Sequence, residues 1–235
     1  MDETTFHIES AVASDAASSV SDAVFHDVFR LDFDAPGFAL LTFGADTKPR
    51  DIRALMVDLK SKLSLLLTAR GGGPLHYLSM GRFDQQATTK FHLDGAPAES
   101  VLMLGYEPSV VRSRLFIADY SKCAHDHSMN PRTYLNDFNP MFTSGATMLN
   151  GYITELQSFD HSRFNVLLIN NSSADYQKGM QGVMHKAEIV SPDPDRTRIV
   201  NSTMTFVNDV GRAEPIGQSQ QQTFVESDIV SPRLA

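Results

Sequence analysis

Two short stretches of this sequence carry side chains that can hold a metal ion from one side. In "TTKFHLDGAPAES" (residues 88–100), His92 and Asp94 stand two apart at the end of a short strand-like run. Residues i and i+2 of a strand point the same way, so both can face one cavity. "GVMHKAEI" supplies His185 inside a second β-compatible run, to be carried across by the fold. Two imidazoles and one carboxylate grip iron(II) on one face and leave three positions open, as an oxygen-activating centre needs. Arg198 follows thirteen positions after His185, in "RTRIVNSTMTF". Its planar guanidinium stays charged and takes a carboxylate through two parallel hydrogen bonds, as a dicarboxylate co-substrate requires. Arg196 shares that strand face and competes for the role. It sits just after the turn "SPDPD", whereas Arg198 begins the apolar run of Ile199 and Val200, so Arg198 is expected to point inward.

Taken singly, each residue has a plainer reading. A strand histidine is more often a hydrogen-bonded core or edge residue than a ligand. Asp94-Gly95 is a common turn pair, and a lone arginine is usually a surface ion-pair residue. The order and the placement on strands carry the metal reading. A competing cluster, "CAHDHSMN", holds Cys123, His125, Asp126 and His127, types that suit zinc. It lacks a second cysteine pair, and adjacent positions on an extended chain point apart, so it reads as active-site loop. "GGG" at 71–73 has no following Lys-Ser/Thr and is a helix stop, not a phosphate loop. Met141, Met148, Met180 and Met184 read as packing.

The elements that must position these residues follow from periodicity. Residues 1 to about 24, rich in Ala, Ser and Asp, read as a loose start with room for a short helix. "VFRLDFDAPGFALLTFG" has two apolar stretches around the turn sequence Asp34-Ala35-Pro36-Gly37 and reads as a hairpin. Leu55, Leu59, Leu63 and Leu66 recur at helical spacing in "TKPRDIRALMVDLKSKLSLLLTAR". From Pro74 short strands take over: "PLHYLSMGRF", "SVLMLGYE", "RSRLFIADY", "GYITELQSF", "RFNVLLINN", "GVMHKAEIV" and "TRIVNSTMTFV". On the first of these, alternation puts Leu78, Met80 and Arg82 on one face. The fourth and fifth, joined by a short polar link, suggest another hairpin. Residues 125–150 read as an irregular loop over one end, and the Gln-rich tail at 211–235 as loosely held. The expectation is a single α+β, mainly β domain over 1–235, with its core at about 25–210. About eight strands behind a helix suggest a barrel or two-sheet jelly roll with the helix packed outside.

With 235 residues, 42% of them hydrophobic and 20% charged, the chain reads as a soluble globular protein. No apolar run approaches the ~18 residues of a membrane span, and the acidic, polar start lacks the build of a secretory signal. Cys123 is the sole cysteine, which excludes an internal disulfide and fits a reducing cytoplasm. Net charge is −8 with no stripe of Lys and Arg, which disfavours nucleic acid. A small-molecule or amino-acid/peptide substrate is the better expectation.

His-x-Asp, a distant His, and an Arg about a dozen residues on resemble the motif of the iron(II)/2-oxoglutarate-dependent oxygenases, over roughly residues 75–207. The resemblance implies a double-stranded β-helix (jelly roll) core. It implies His92, Asp94 and His185 as iron ligands, and Arg198 as the anchor for the distal carboxylate of 2-oxoglutarate. It further implies O2 as co-substrate and an activity, most simply hydroxylation, that couples oxidative decarboxylation of 2-oxoglutarate to substrate oxidation. The family's common Arg-x-Ser is not reproduced: Ile199 and Val200 follow Arg198, and Ser202 is the nearby hydroxyl. Two other classes fit the same residues: a zinc-dependent hydrolase or isomerase on a jelly roll, and a binding module whose polar residues are structural.

Overall fold

The structure is a computed structural model that describes residues 5–8, 14–137, 143–176, 179–207 and 216–231. Helix α1 (Ser14–Val28) and helix α2 (Pro49–Ala69) form a layer on one side. Proline at the first position of α2 gives up an N–H that a helix start leaves unpaired anyway. The Asp51 carboxylate accepts from the Lys48 amide at 3.1 Å. Ile52, Leu55, Met56, Leu59 and Leu63 give α2 a buried stripe. Gly71 ends the helix at φ +86°, a conformation costly for any residue with a Cβ.

Beneath the helices lie β1 (Thr5–Ile8), β2 (Phe38–Phe43), β3 (Leu75–Asp84), β4 (Ser100–Tyr106), β7 (Asn165–Asn170) and β9 (Ile199–Val207). They form one sheet in the order β1-β2-β7-β4-β9-β3, antiparallel except for β1 beside β2. A second antiparallel sheet orders β6 (Ile153–Glu155), β5 (Ser113–Ala118) and β8 (Met184–Ile189). His92 is bridged to the free edge of β8 at His185. After β3 the chain therefore crosses repeatedly between the sheets: β4 in the first, β5 and β6 in the second, β7 in the first, β8 in the second, β9 in the first. The fold is α+β and mainly antiparallel.

β2 and β7 are buried along their whole length, because helices cover one face and the second sheet the other. That is why "FALLTF" and "NVLLIN" are almost continuously apolar rather than alternating. One core, with Leu41, Val101 and Val166, faces the helices. A second, with Leu40, Leu102, Ile117 and Leu167, lies between the sheets. Among the described residues no helix is long and apolar enough to cross a membrane.

The expected helix at 49–69, its glycine stop and the seven strands from Pro74 onward are all present. Several expectations are corrected. The apolar residues before Asp34 belong to no strand: α1 runs to Val28 and buries Val24, Phe25 and Val28, so there is no hairpin at 34–37. β6 and β7 form no hairpin either, since β6 pairs with β5 and β7 with β2 and β4. The short link between them switches sheets. The presumed loop at 125–150 overlaps three short helices, α3 (Tyr120–Asp126), α4 (Pro131–Asp137) and α5 (Thr143–Leu149). The tail forms α6 (Gln218–Glu226), seated by buried Phe224. On β3, a bulge between Tyr77 and Ser79 breaks the alternation. Leu78 packs between the sheets, while Met80 joins the helix-side core and Arg82 binds Glu107 at 2.7 Å.

One buried ion pair ties these layers together. Arg30, just beyond α1, donates to both carboxylate oxygens of Asp119 at 2.6 and 2.8 Å, with the two side chains 1% and 2% exposed. The same guanidinium donates to the carbonyls of Ala35 and Gln181. Asp119 also caps α3 by accepting from the Lys122 amide.

Candidate metal centre

His92 stands at the bridge to β8, Asp94 just beyond it, and His185 one residue into β8. Their ligand atoms all lie within 4.8 Å of one another, and no other group of three or more His, Cys, Asp or Glu side chains meets that test among the described residues. The bridge brings the parts together: the His92 amide donates to the His185 carbonyl at 3.2 Å, and the His185 amide donates back at 3.1 Å. Asp94 is fixed by Asn171, whose side chain accepts from the Asp94 amide at 2.9 Å and donates to its carbonyl at 3.0 Å.

The protonation pattern favours a cation between these groups. The Lys90 carbonyl, 2.7 Å from His92 Nδ1, can only accept, so Nδ1 carries a proton. In the neutral ring Nε2 is then a bare lone pair, and it lies 3.4 Å from Asp94 Oδ1. Two acceptors face each other, an arrangement that calls for a proton or a metal ion between them. In the metal-free protein the proton does this: the Asp94 hydrogen bond raises the His92 pKa above its ordinary value, against the effect of burial. Burial, the largest single influence, works against the Asp94 carboxylate, but the His92 hydrogen bond and the charges of the two histidines together outweigh it and hold the acid below its usual range. His185 is pushed down to about 4 by burial and by charge on His92, so its ring is neutral and its lone pair available. Its Nδ1 is buried without a hydrogen-bond partner. Two nitrogens and a carboxylate, one of them an orphaned imidazole, fit a divalent transition metal.

A pH dependence follows. A metal must displace the His92 proton, so affinity falls as pH drops through the raised His92 value and levels off above it. His185 adds competition only near pH 4. Titrations of iron(II) or zinc(II) across pH 5–8 are expected to show loss of affinity at the acid end; a flat profile would remove His92 from the ligand set.

The three residues line a cavity of about 200 Å³ together with Asp84, Gln85, Thr89, Tyr106, Arg198 and Ser202. Arg198 is 3% exposed. Its Nε donates to Ser113 Oγ at 3.1 Å and its Nη1 to the Gln85 carbonyl at 2.9 Å. Its guanidinium carbon lies 5.0 Å from the centre of the Tyr106 ring. Nη2 is buried and has no hydrogen-bond partner. Burial pulls the arginine's pKa down, with Tyr106 and Asp84 opposing. A buried, charged group with a spare donor in a cavity is costly unless an anion meets it. Arg196 is exposed and does not line the cavity. Its carbonyl accepts from Gln86, whose side-chain oxygen in turn accepts from the Asp193 amide, pinning the turn from which Arg198 enters.

The Cys123 segment is elsewhere. Cys123 is buried in a cluster with Tyr120, Tyr134 and Leu149, and its thiol is pushed up to about 11 by burial. His125 and Asp126 face solvent, and His127 Nδ1 donates to the Cys123 carbonyl within α3. Met148, Met180 and Met184 are packing residues, and Met141 lies outside the described residues. Tyr106, Ser113 and Gln85 were not singled out from sequence, since a tyrosine ending an apolar strand and polar residues in irregular segments carry no spacing signal. No family model matches the chain, and no curated protein matches it either.

Proposed function

We propose that this protein is an iron(II)- and 2-oxoglutarate-dependent oxygenase of the hydroxylase kind. The observation that carries the reading is Arg198: a buried guanidinium with an uncommitted Nη2, in the same cavity as a His-Asp-His cluster. A dicarboxylate co-substrate pairs with that cation, whereas a zinc hydrolase or isomerase would need an anionic substrate to use it. The crossing of successive strands between two sheets is compatible with a jelly roll, which supports the reading further.

His92, Asp94 and His185 would hold the iron. Iron bound there would activate O2, the oxidant, so that decarboxylation of 2-oxoglutarate to succinate and CO2 is coupled to oxidation of a substrate C–H bond. The chain supplies position and shelter. Arg198 fixes the far carboxylate of the co-substrate, with Tyr106 beneath the guanidinium and Ser113 and Gln85 holding it in orientation. Ser202 offers a further hydroxyl on the cavity wall. Leu104, Ala187 and Val200 keep that wall apolar, which strengthens the ion pair by excluding water.

The test is co-substrate binding. Anaerobic iron(II) protein titrated with 2-oxoglutarate is expected to develop a visible charge-transfer band. Arg198→Ala should weaken binding by about 2–5 kcal/mol, roughly 30-fold or more, through loss of a charge-assisted contact. Arg196→Ala should cost under ~1 kcal/mol, as exposed pairs do. If neither variant changes the titration, the 2-oxoglutarate reading falls and the zinc enzyme moves ahead.

A further inference from the structure

His92 and Asp94 are shared between two cavities that differ in the charge of their other lining residues. The first, already described, contains Arg198. The second, of about 300 Å³, is lined by Leu93, Ala96, Leu135, Met184, Asn171 and Ser173, with Gly95 at its margin. Among the described residues, its only charged or titratable lining groups are His92 and Asp94 themselves. The Asn171 amide is already spent on Asp94 and Ser100. With His92 and Asp94 committed to the metal, no other described side chain in this lining compensates a carboxylate, phosphate or ammonium, and burying an uncompensated charge costs several kcal/mol. Four apolar side chains and a single spare hydroxyl suit an uncharged aliphatic group. The volume stands at the lower end of the ~300–1,000 Å³ typical of small-molecule sites, so the group is small.

We infer that this second cavity receives the substrate, and that the part presented to the metal is a small, uncharged aliphatic group. The inference rests on the oxygenase reading, which assigns the cationic cavity to the co-substrate. The anionic and the neutral guest are thereby sorted by charge: the dicarboxylate goes where the guanidinium is, and the neutral group to the side of the metal without one. Free organic acids are excluded from the second cavity by the same reasoning, and zwitterionic amino acids would have to leave both charges outside it.

Four probes with one side chain and different charges test this: N-acetyl-leucinamide (neutral), N-acetyl-leucine (anion), leucinamide (cation) and leucine (zwitterion). Loading the protein with manganese(II) and 2-oxoglutarate gives a readout independent of turnover, the paramagnetic relaxation of probe methyl protons near the metal. The neutral probe is expected to show at least fivefold more relaxation enhancement than any charged one. Gly95 lines the cavity, with open space where a Cβ would stand and no left-handed backbone, so Gly95→Phe can place a ring at the cavity. That variant should lose the neutral probe's enhancement yet keep manganese and 2-oxoglutarate affinity. Equal enhancement by charged and neutral probes, or an unaffected Gly95→Phe protein, would overturn the inference while leaving the oxygenase reading in place. Failure of manganese and 2-oxoglutarate to bind at all would overturn both.

Discussion

His185→Ala is expected to lower iron(II) affinity by more than ~100-fold, with the fold retained. Removing a group that only supports a ligand costs about 10–100-fold, so removing a ligand should cost more. The His185 backbone remains paired with Ile117 and His92 whatever its side chain, so alanine should not dislodge β8. The lost ring also removes a buried nitrogen that had no partner, which offsets part of the cavity left behind. His125→Ala, on an exposed ring in α3, is the control and should bind iron normally. Calorimetric titration under anaerobic conditions reads both. Equal affinity in the two variants would mean that His185 is a core histidine and no ligand.

Arg30→Ala should be strongly destabilising although it lies away from the candidate metal centre, costing about 3–5 kcal/mol. The large figure comes from what is left behind. Asp119 would remain almost wholly buried, stripped of its two hydrogen bonds from the guanidinium, and the carbonyls of Ala35 and Gln181 would lose their donor. Replacing both partners, Arg30→Met with Asp119→Leu, should recover part of the loss, because a buried pair can be exchanged for apolar packing more cheaply than it can be halved. Recovery will be incomplete, since Asp119 also caps α3 and a lost cap costs about 0.5–2 kcal/mol. Urea denaturation of the unaltered protein and the two variants separates these contributions. A double variant less stable than Arg30→Ala would show that the carboxylate does not need its arginine.

Where a side chain's environment is set by local period, the sequence was readable. The leucine spacing of α2, the strands from Pro74 onward, and the pairing of His92 with Asp94 are all local signals. Arg198 was distinguishable from Arg196 because apolar neighbours follow it and a turn precedes it. What failed was partnership. A polar link between two strands looks the same whether the chain turns back on itself or moves to the other sheet, and β6 and β7 do the latter. "VFRLDF" has the apolar alternation of a strand, but Val28 is taken up by α1, which buries it with Val24 and Phe25, and residues 29–33 belong to neither helix nor strand. One extra residue at the Tyr77–Ser79 bulge reverses every later assignment of face on β3. The second cavity was invisible for the same reason, because Leu93, Leu135, Asn171 and Met184 converge from four separate segments.

The pairing of β2 with β7 carries a consequence for synthesis. Leu40 and Leu167 are register partners 127 positions apart. At ~5–20 residues per second, a ribosome exposes the β7-facing edge of the apolar "FALLTF" strand for about 6–25 s before β7 exists. Helices α1 and α2 bracket that strand in the chain and emerge early, and both contribute to the core on its helix-facing side. They can shelter one face of the nascent strand but not its unpaired edge, which stays a template for other chains until β7 arrives. Yield in a cell should therefore depend on elongation rate and on chaperones that mask strand edges, more than on the stability of the finished molecule.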